Sequence, residues 1–292
     1  MTERALSWTD TAIDFLALVK PRVTALVMAT TAGGLWLTPG PVELQLLFYT
    51  LFGTVLLVGA ANTFNMYLER DIDALMKRTR DRPLPAKRMA PENAFVFGLV
   101  LAGIAVVILT LKVNSLTALL GVLAFVSYVL FYTPLKQKTT LSLLIGAVPG
   151  AMPPLMGWTA GIGSLDLPGL LLFGLLFCWQ VPHFLAIALF HKEEYARAGI
   201  KILPLEKGET ATKHCMVRYL ALLIPVSLFL VPLGIAGKLY FWTAVVLNGI
   251  FFLWGCYGLR KSAGVRWARS FFVTSIIYLP VLLFVLALDS IH

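Results

Sequence analysis

Three oxygen-bearing side chains, Asn65, Glu69 and Asp73, recur every four residues in the stretch NTFNMYLERDIDALMKRTRDRPL, Asn62 to Leu84. Read as a helix, that spacing keeps them within an arc of about 80° and spreads them along about 12 Å of axis. One face then presents an amide and two carboxylates in a column, while Asp71 points elsewhere. Hard cations such as Mg²⁺ take oxygen ligands and favour a few carboxylates together with substrate phosphates. The column therefore suits a metal-bridged diphosphate. The bases that follow, Lys77, Arg78, Arg80 and Arg82, supply donors for such an anion; a guanidinium grips phosphate oxygens in a fork and an ammonium acts as a point charge. The plainer account is a solvated helix end with local ion pairs. Depth weighs against it, because Asn65 and Glu69 fall where the preceding uncharged run LLFYTLFGTVLLVGAA still places membrane. Acids at that depth are costly enough to mark function.

A second cluster lies in CWQVPHFLAIALFHKEEYARAGIKILP, Cys178 to Pro204. Gln180, His183, Phe184, Ile187, His191 and Glu194 follow helical spacing and predict one face, a polar stripe in an otherwise apolar span. With Trp179 beside it and Pro182 expected to kink the span, the stripe is expected to line a cavity. His183 would meet a metal or a propionate there, or serve only in packing; the residues do not choose. In FYTPLKQKT, Tyr132, Lys136 and Lys138 sit at a short turn, either as an aromatic-belt tyrosine with snorkelling lysines or as a diphosphate contact. The stretch IGAVPGAMPPLMGW, Ile145 to Trp158, predicts a close helix approach or a broken helix that faces protein or a cavity rather than lipid.

The elements that must position these residues follow from composition. The chain has 292 residues, 59% hydrophobic and 13% charged, with mean hydropathy +0.83, whereas a soluble globule is about 25% charged. Apolar runs of about 18 residues or more recur along its length, each enough to cross a hydrocarbon core about 30 Å thick. They are continuous rather than alternating, so helices are expected and a barrel is not. The reading is an all-α polytopic membrane protein. Nine spans are expected, near 21–38, 44–70, 93–112, 115–132, 139–160, 168–191, 213–235, 239–259 and 268–288. They form a single transmembrane domain over 1–292, with residues 1–20 an interfacial segment.

Placing the N-terminus in the cytoplasm puts all but two of the 24 lysines and arginines on that side, Lys112 and Lys238 being the exceptions. This is a positive-inside pattern, and it accounts for the +9 net charge without nucleic acid. No cleavable leader is expected from the first twenty residues. Cys178, Cys215 and Cys256 are isolated from one another, so neither a zinc site nor a disulfide framework is expected.

With these residues in view, the chain resembles the UbiA-type intramembrane prenyltransferases. The carriers are Asn65, Glu69 and Asp73 leading into Met76, Arg78, Thr79, Arg82 and Pro83. YTPLK, GAVPGAMPPLMGW, and WQVPHF followed by AGIKILP are similar to the haem-using branch of that superfamily, over roughly Lys20 to Leu288. The resemblance implies a ring of nine helices around a chamber open to the cytoplasm and laterally to lipid, in a bacterial inner membrane. It implies farnesyl transfer from farnesyl diphosphate to a vinyl of haem B, with water addition giving haem O and with diphosphate released. A haem A synthase or terminal oxidase assembly is the implied consumer. By motif position, Asn65, Glu69 and Asp73 would hold Mg²⁺ and diphosphate, with Lys77, Arg78, Arg82, Tyr132 and Lys136 assisting, and Trp179, Gln180 and His183 would bind haem.

Two departures stand out. Glu69 replaces the more usual Asp. The superfamily's second D-x-x-x-D has His191 and Tyr195 at its two positions, so a second metal contact would fall to Glu194 or Glu193. A secondary transporter is disfavoured because its acids should lie at mid-bilayer in both halves. A haem electron carrier is disfavoured because His183 and His191, about 12 Å apart on one helix, cannot ligate one iron together.

Overall fold

Proline and glycine cut the apolar runs into helices, and a computed structural model describes them over residues 8–290. Arg4, counted above among the cytoplasmic bases, and the start of the interfacial segment lie outside the described residues. Helix α1 (Trp8–Leu18) precedes α2 (Pro21–Trp36), α3 (Leu44–Asp73) and α4 (Pro91–Ile108), which continues as a π-helical turn over Leu109–Val113. Then come α5 (Ser115–Val126), widened to a π-helix over Ser127–Tyr132 and closed by Thr133–Leu135, α6 (Ser142–Ile162) and α7 (Leu167–Phe190). Two short helices follow, α8 (Lys192–Arg197) and α9 (Leu203–Glu206). The last three are α10 (Gly208–Leu228), α11 (Lys238–Tyr257) and α12 (Val265–Leu288). Among the described residues there is no strand, only an isolated bridge between Ala236 and Ser290.

Local chemistry sets the ends. Pro21 and Pro91 open α2 and α4, where a missing N–H costs nothing. Asn114 caps α5 through the Thr117 N–H at 2.8 Å, and Asp166 caps α7 through the Gly169 N–H at 3.1 Å. Gly163 stops α6 at φ 75°, a conformation that disfavours a Cβ.

The fold class is as expected. Among the described residues, seven helices are long and apolar enough to cross a membrane by length and composition: α3 to α7, α11 and α12 with their π extensions. Two other expected spans fall short of that measure. Helix α2 has 16 residues, and the first half of α10 carries Glu209, Lys213, His214 and Arg218. Large apolar side chains cover the outside, Leu44, Leu111 and Leu253 among them, as a lipid-facing surface requires.

Helix α6 is unbroken through Pro149, Pro153 and Pro154, so of the two expectations for its Gly/Pro stretch, close approach is the one realised. A Cβ on Gly157 would strike the carbonyl of Thr31, and one on Gly34 would strike that of Pro154. Helices α2 and α6 thus meet backbone to backbone. Helix α7 likewise runs on through Pro182. On its far side, α10 to α12 pack around a filled aromatic core of Trp267, Phe271, Phe251 and Tyr278. Because that side is filled, the cavity described next is not encircled by every span; α4, α10, α11 and α12 contribute nothing to its lining.

Candidate active site

A cavity of about 510 Å³ lies among α2, α3, α5, α6 and α7. One end is apolar, with Val27, Leu57, Val58, Phe125, Met152 and Met156 on its wall. The other end holds the column. Asn65, Glu69 and Asp73 are all buried, at 2%, 7% and 3% exposure, and all three line the cavity. Burial of two carboxylates demands partners, and bases from separate segments supply them. Lys136 Nζ lies 2.7 Å from Glu69 Oε1, and Arg82 donates to Asp73 Oδ2 at 2.6 Å.

Asn65 is fixed from both ends. Lys20 Nζ donates to its Oδ1 at 3.0 Å, and its Nδ2 donates to Thr133 Oγ1 at 3.2 Å. The Thr133 hydroxyl in turn donates to the Tyr128 carbonyl at 2.8 Å. Two carboxylates and an amide oxygen beside bases form a donor set that fits a hard divalent cation shared with phosphate oxygens; such a cation would share carboxylates already paired to Arg82 and Lys136.

Burial, then the charges of Arg82 and Lys136, push the Lys20 amine down to about 7, against the pull of Glu69 and Asp73. An anion arriving nearby favours its charged form. Burial also works against the charge of Lys136, but neighbouring Tyr132 and Glu69 outweigh it and hold that amine well above its usual range. Lys136 also sits 4.5 Å from the centre of the Tyr132 ring. The π-widened end of α5 brings Tyr128 and Tyr132 to the cavity together, a common use of such turns. Gly146 leaves room for the Tyr132 ring and Gly150 for Gln180.

Helical phase was carried too far in two places. Helix α3 stops at Asp73, and the chain runs on in turns, one of them held by Thr79 Oγ1 donating to the Asp73 carbonyl at 2.8 Å. These turns fold Arg78 and Arg82 back to the cavity but leave Lys77 exposed and off its lining. Asp71 is exposed as well. Helix α7 ends at Phe190, so His191 and the residues after it leave the stripe. Glu194 pairs with His191 at 3.2 Å and does not line the cavity, nor does the exposed Glu193. Tyr195 does.

The expected haem-binding trio also divides. Gln180 lines the cavity and donates to the Ala147 carbonyl at 2.6 Å. His183 and Trp179 are turned to α12, where His183 Nδ1 lies 2.6 Å from Ser275 Oγ and Trp179 Nε1 donates to the Ser275 carbonyl at 2.9 Å. They sit about 60° and 100° around α7 from Gln180, on the side opposite Phe184. The cavity-lining expectation for the stripe therefore holds for Gln180, Phe184 and Ile187 and fails for His183, His191 and Glu194. Sequence reasoning passed over Lys20, Thr133, Tyr128, Tyr195 and Lys201 as site residues. Lys20 alone left a signal, a base directly before the first span on the same side as the column.

The arrangement is a cavity among apolar helices, with a charged, mostly basic end and an apolar depth. Residues 26–277 match the model of the UbiA prenyltransferase family, and the chain belongs to that family. A protoheme IX farnesyltransferase of Sorangium cellulosum is 51% identical over 275 residues, spanning 88% of this chain and 97% of that protein. Among solved structures, one described as digeranylgeranylglyceryl phosphate synthase aligns with TM-score 0.83 at 17% identity, over 95% of this chain and 98% of that one. A UbiA homologue from Archaeoglobus fulgidus bound to GPP and Mg²⁺ aligns with TM-score 0.66 at 14% identity, over 94% and 99%. At those identities the likeness is one of fold.

Proposed function

We propose that this membrane enzyme transfers the farnesyl group of farnesyl diphosphate to a vinyl of protohaem IX, and that water addition completes haem O. The observation that carries the reading is the pairing of a near-full-length relative of that activity at 51% identity with a buried acid–base head group over an apolar chamber. The farnesyl tail lies along the apolar wall, and the diphosphate meets Arg82, Lys136, Arg78 and Lys20 at the polar end. Asn65, Glu69 and Asp73 are the residues that would hold Mg²⁺. A bound Mg²⁺ would offset charge on the diphosphate oxygens.

The chain's own groups do the rest. Cleavage of the allylic C–O bond leaves its electron pair on the diphosphate, and bases fixed in place before the reaction stabilise that charge without reorganising. The apolar walls exclude water from the allylic cation until the vinyl π electrons close the new C–C bond. Water then adds at the porphyrin-stabilised carbon and gives up a proton. Gln180, Phe184 and Ile187, on the chamber wall, are α7 residues that an acceptor in the chamber would meet. The distribution of bases supports an N-terminus and chamber mouth on the cytoplasmic side of a bacterial inner membrane.

Purified protein incubated with haem B, farnesyl diphosphate and Mg²⁺ tests the reading by mass spectrometry. The expected product is haem B plus a farnesyl group and a hydroxyl, lost in Asp73→Ala protein that still inserts and folds. Unchanged haem B alongside prenylation of a quinone precursor would overturn the acceptor; near-normal activity of Asp73→Ala would overturn the role of the column.

A further inference from the structure

Away from the column, the chamber's charged lining is basic, with a phenol beside it. The residues concerned are Arg78, Tyr195 and Lys201, and all three line the chamber. Tyr195 and Lys201 share one segment, tied to the α5–α6 turn by the backbone N–H of Lys201, which donates to the Lys136 carbonyl at 2.9 Å, and closed on itself by that of Ile200, which donates to the Tyr195 carbonyl at 3.0 Å. Arg78 comes from the α3–α4 turns and lies close enough to the Tyr195 phenol for its charge to act on it. A guanidinium only donates, so toward Arg78 the phenol oxygen can act only as acceptor. The Tyr195 O–H hydrogen is thereby left to donate to a further acceptor, and an anion in the chamber is one.

None of the acids on the 192–209 segment, Glu193, Glu194, Glu206 or Glu209, lines the chamber. Its charged lining is five bases against two acids, and both acids belong to the column. A second divalent ion on the Arg78 side would sit beside like charge with no carboxylate to hold it, an unfavourable placement at short range in a partly buried site. Direct donors already occupy the places such an ion would serve.

Resting on the allylic-diphosphate reading above, we propose that the enzyme takes its substrate with a single divalent cation, on the Asn65–Glu69–Asp73 side. The far end of the diphosphate is held without metal by Arg78, Tyr195 and Lys201. Tyr195 is then a substrate-contacting residue for the proposed reaction.

The test counts metal independently of turnover. Full-length protein in nanodiscs is titrated with Mn²⁺ in saturating farnesyl thiodiphosphate, an uncleaved analogue, and free Mn²⁺ is read from its EPR signal. One bound Mn²⁺ per chain is expected; two per chain with normal analogue binding overturns this assignment and leaves the allylic-diphosphate reading intact. Failure to bind the analogue overturns both. In Tyr195→Phe, with its melting temperature checked against wild type, analogue affinity should fall roughly tenfold while the Mn²⁺ count and haem binding stay unchanged. Unchanged affinity in that variant would remove Tyr195 from the site, and the wild-type count needs no variant at all.

Discussion

Lys20 holds a backbone conformation, φ 49° and ψ 71°, that favours glycine. For a side chain with a Cβ this costs about 1–2 kcal/mol. Strain of that kind persists where the surroundings over-determine it, and here it turns α1 into α2 so that the amine reaches Asn65. Two substitutions separate the strain from the charge. Both Lys20→Met and Lys20→Gly should raise the KM for farnesyl diphosphate about tenfold, the scale of a lost charge-assisted hydrogen bond. Only Lys20→Gly releases the backbone, so it should melt above Lys20→Met in a thermal scan. Equal KM for wild type and both variants would remove the amine from the site. The partners of Glu69 and Asp73 show the same economy: each buried carboxylate is met by one base from outside its own helix.

Among the elements, α6 does the most positioning. It approaches α2 backbone to backbone at Gly157 and gives the Tyr132 ring and Gln180 their space at Gly146 and Gly150. Membrane helices lack a hydrophobic drive toward each other, so small residues that permit such contact carry the packing. Gly157→Val should destabilise the bundle by about 1–3 kcal/mol, the usual cost of overpacking, seen as a lower melting temperature. Gly103→Val, where a new Cβ meets nothing within 4 Å, is the control and should melt like wild type. A Gly157→Val protein as stable as the control would mean that the two helices part easily.

For the whole molecule, the charged ends are what predicts orientation. Lys138 and Lys238 belong to opposite sides in the topology expected from the bases. In a background with Cys178, Cys215 and Cys256 replaced, an impermeant maleimide should label Lys238→Cys but not Lys138→Cys in right-side-out vesicles. Inverted vesicles should give the reverse. Labelling of both from one side would break the assignment. The same scale explains why the chamber is lopsided. Bulky aromatic residues fill the bundle beyond α7, and α10, α11 and α12 contribute nothing to the chamber's lining.

What the sequence by itself determined was whatever depends on composition and on phase within one regular element. Apolar runs and sparse charge set the helical membrane class. Four-residue spacing put Asn65, Glu69 and Asp73 on one face, and all three do line the chamber. Tertiary structure decided the matters that cross an element's end. Helical phase stops at Asp73 and at Phe190, and beyond those points turns choose which side chains return to the site. That is why Arg78, Arg82 and Tyr195 face the chamber while Lys77 and Glu194 do not. It also settled which neighbour claims a residue at the margin of a face. His183, about 60° from Gln180, went to Ser275 on α12, a partner 92 residues away that no local spacing reveals.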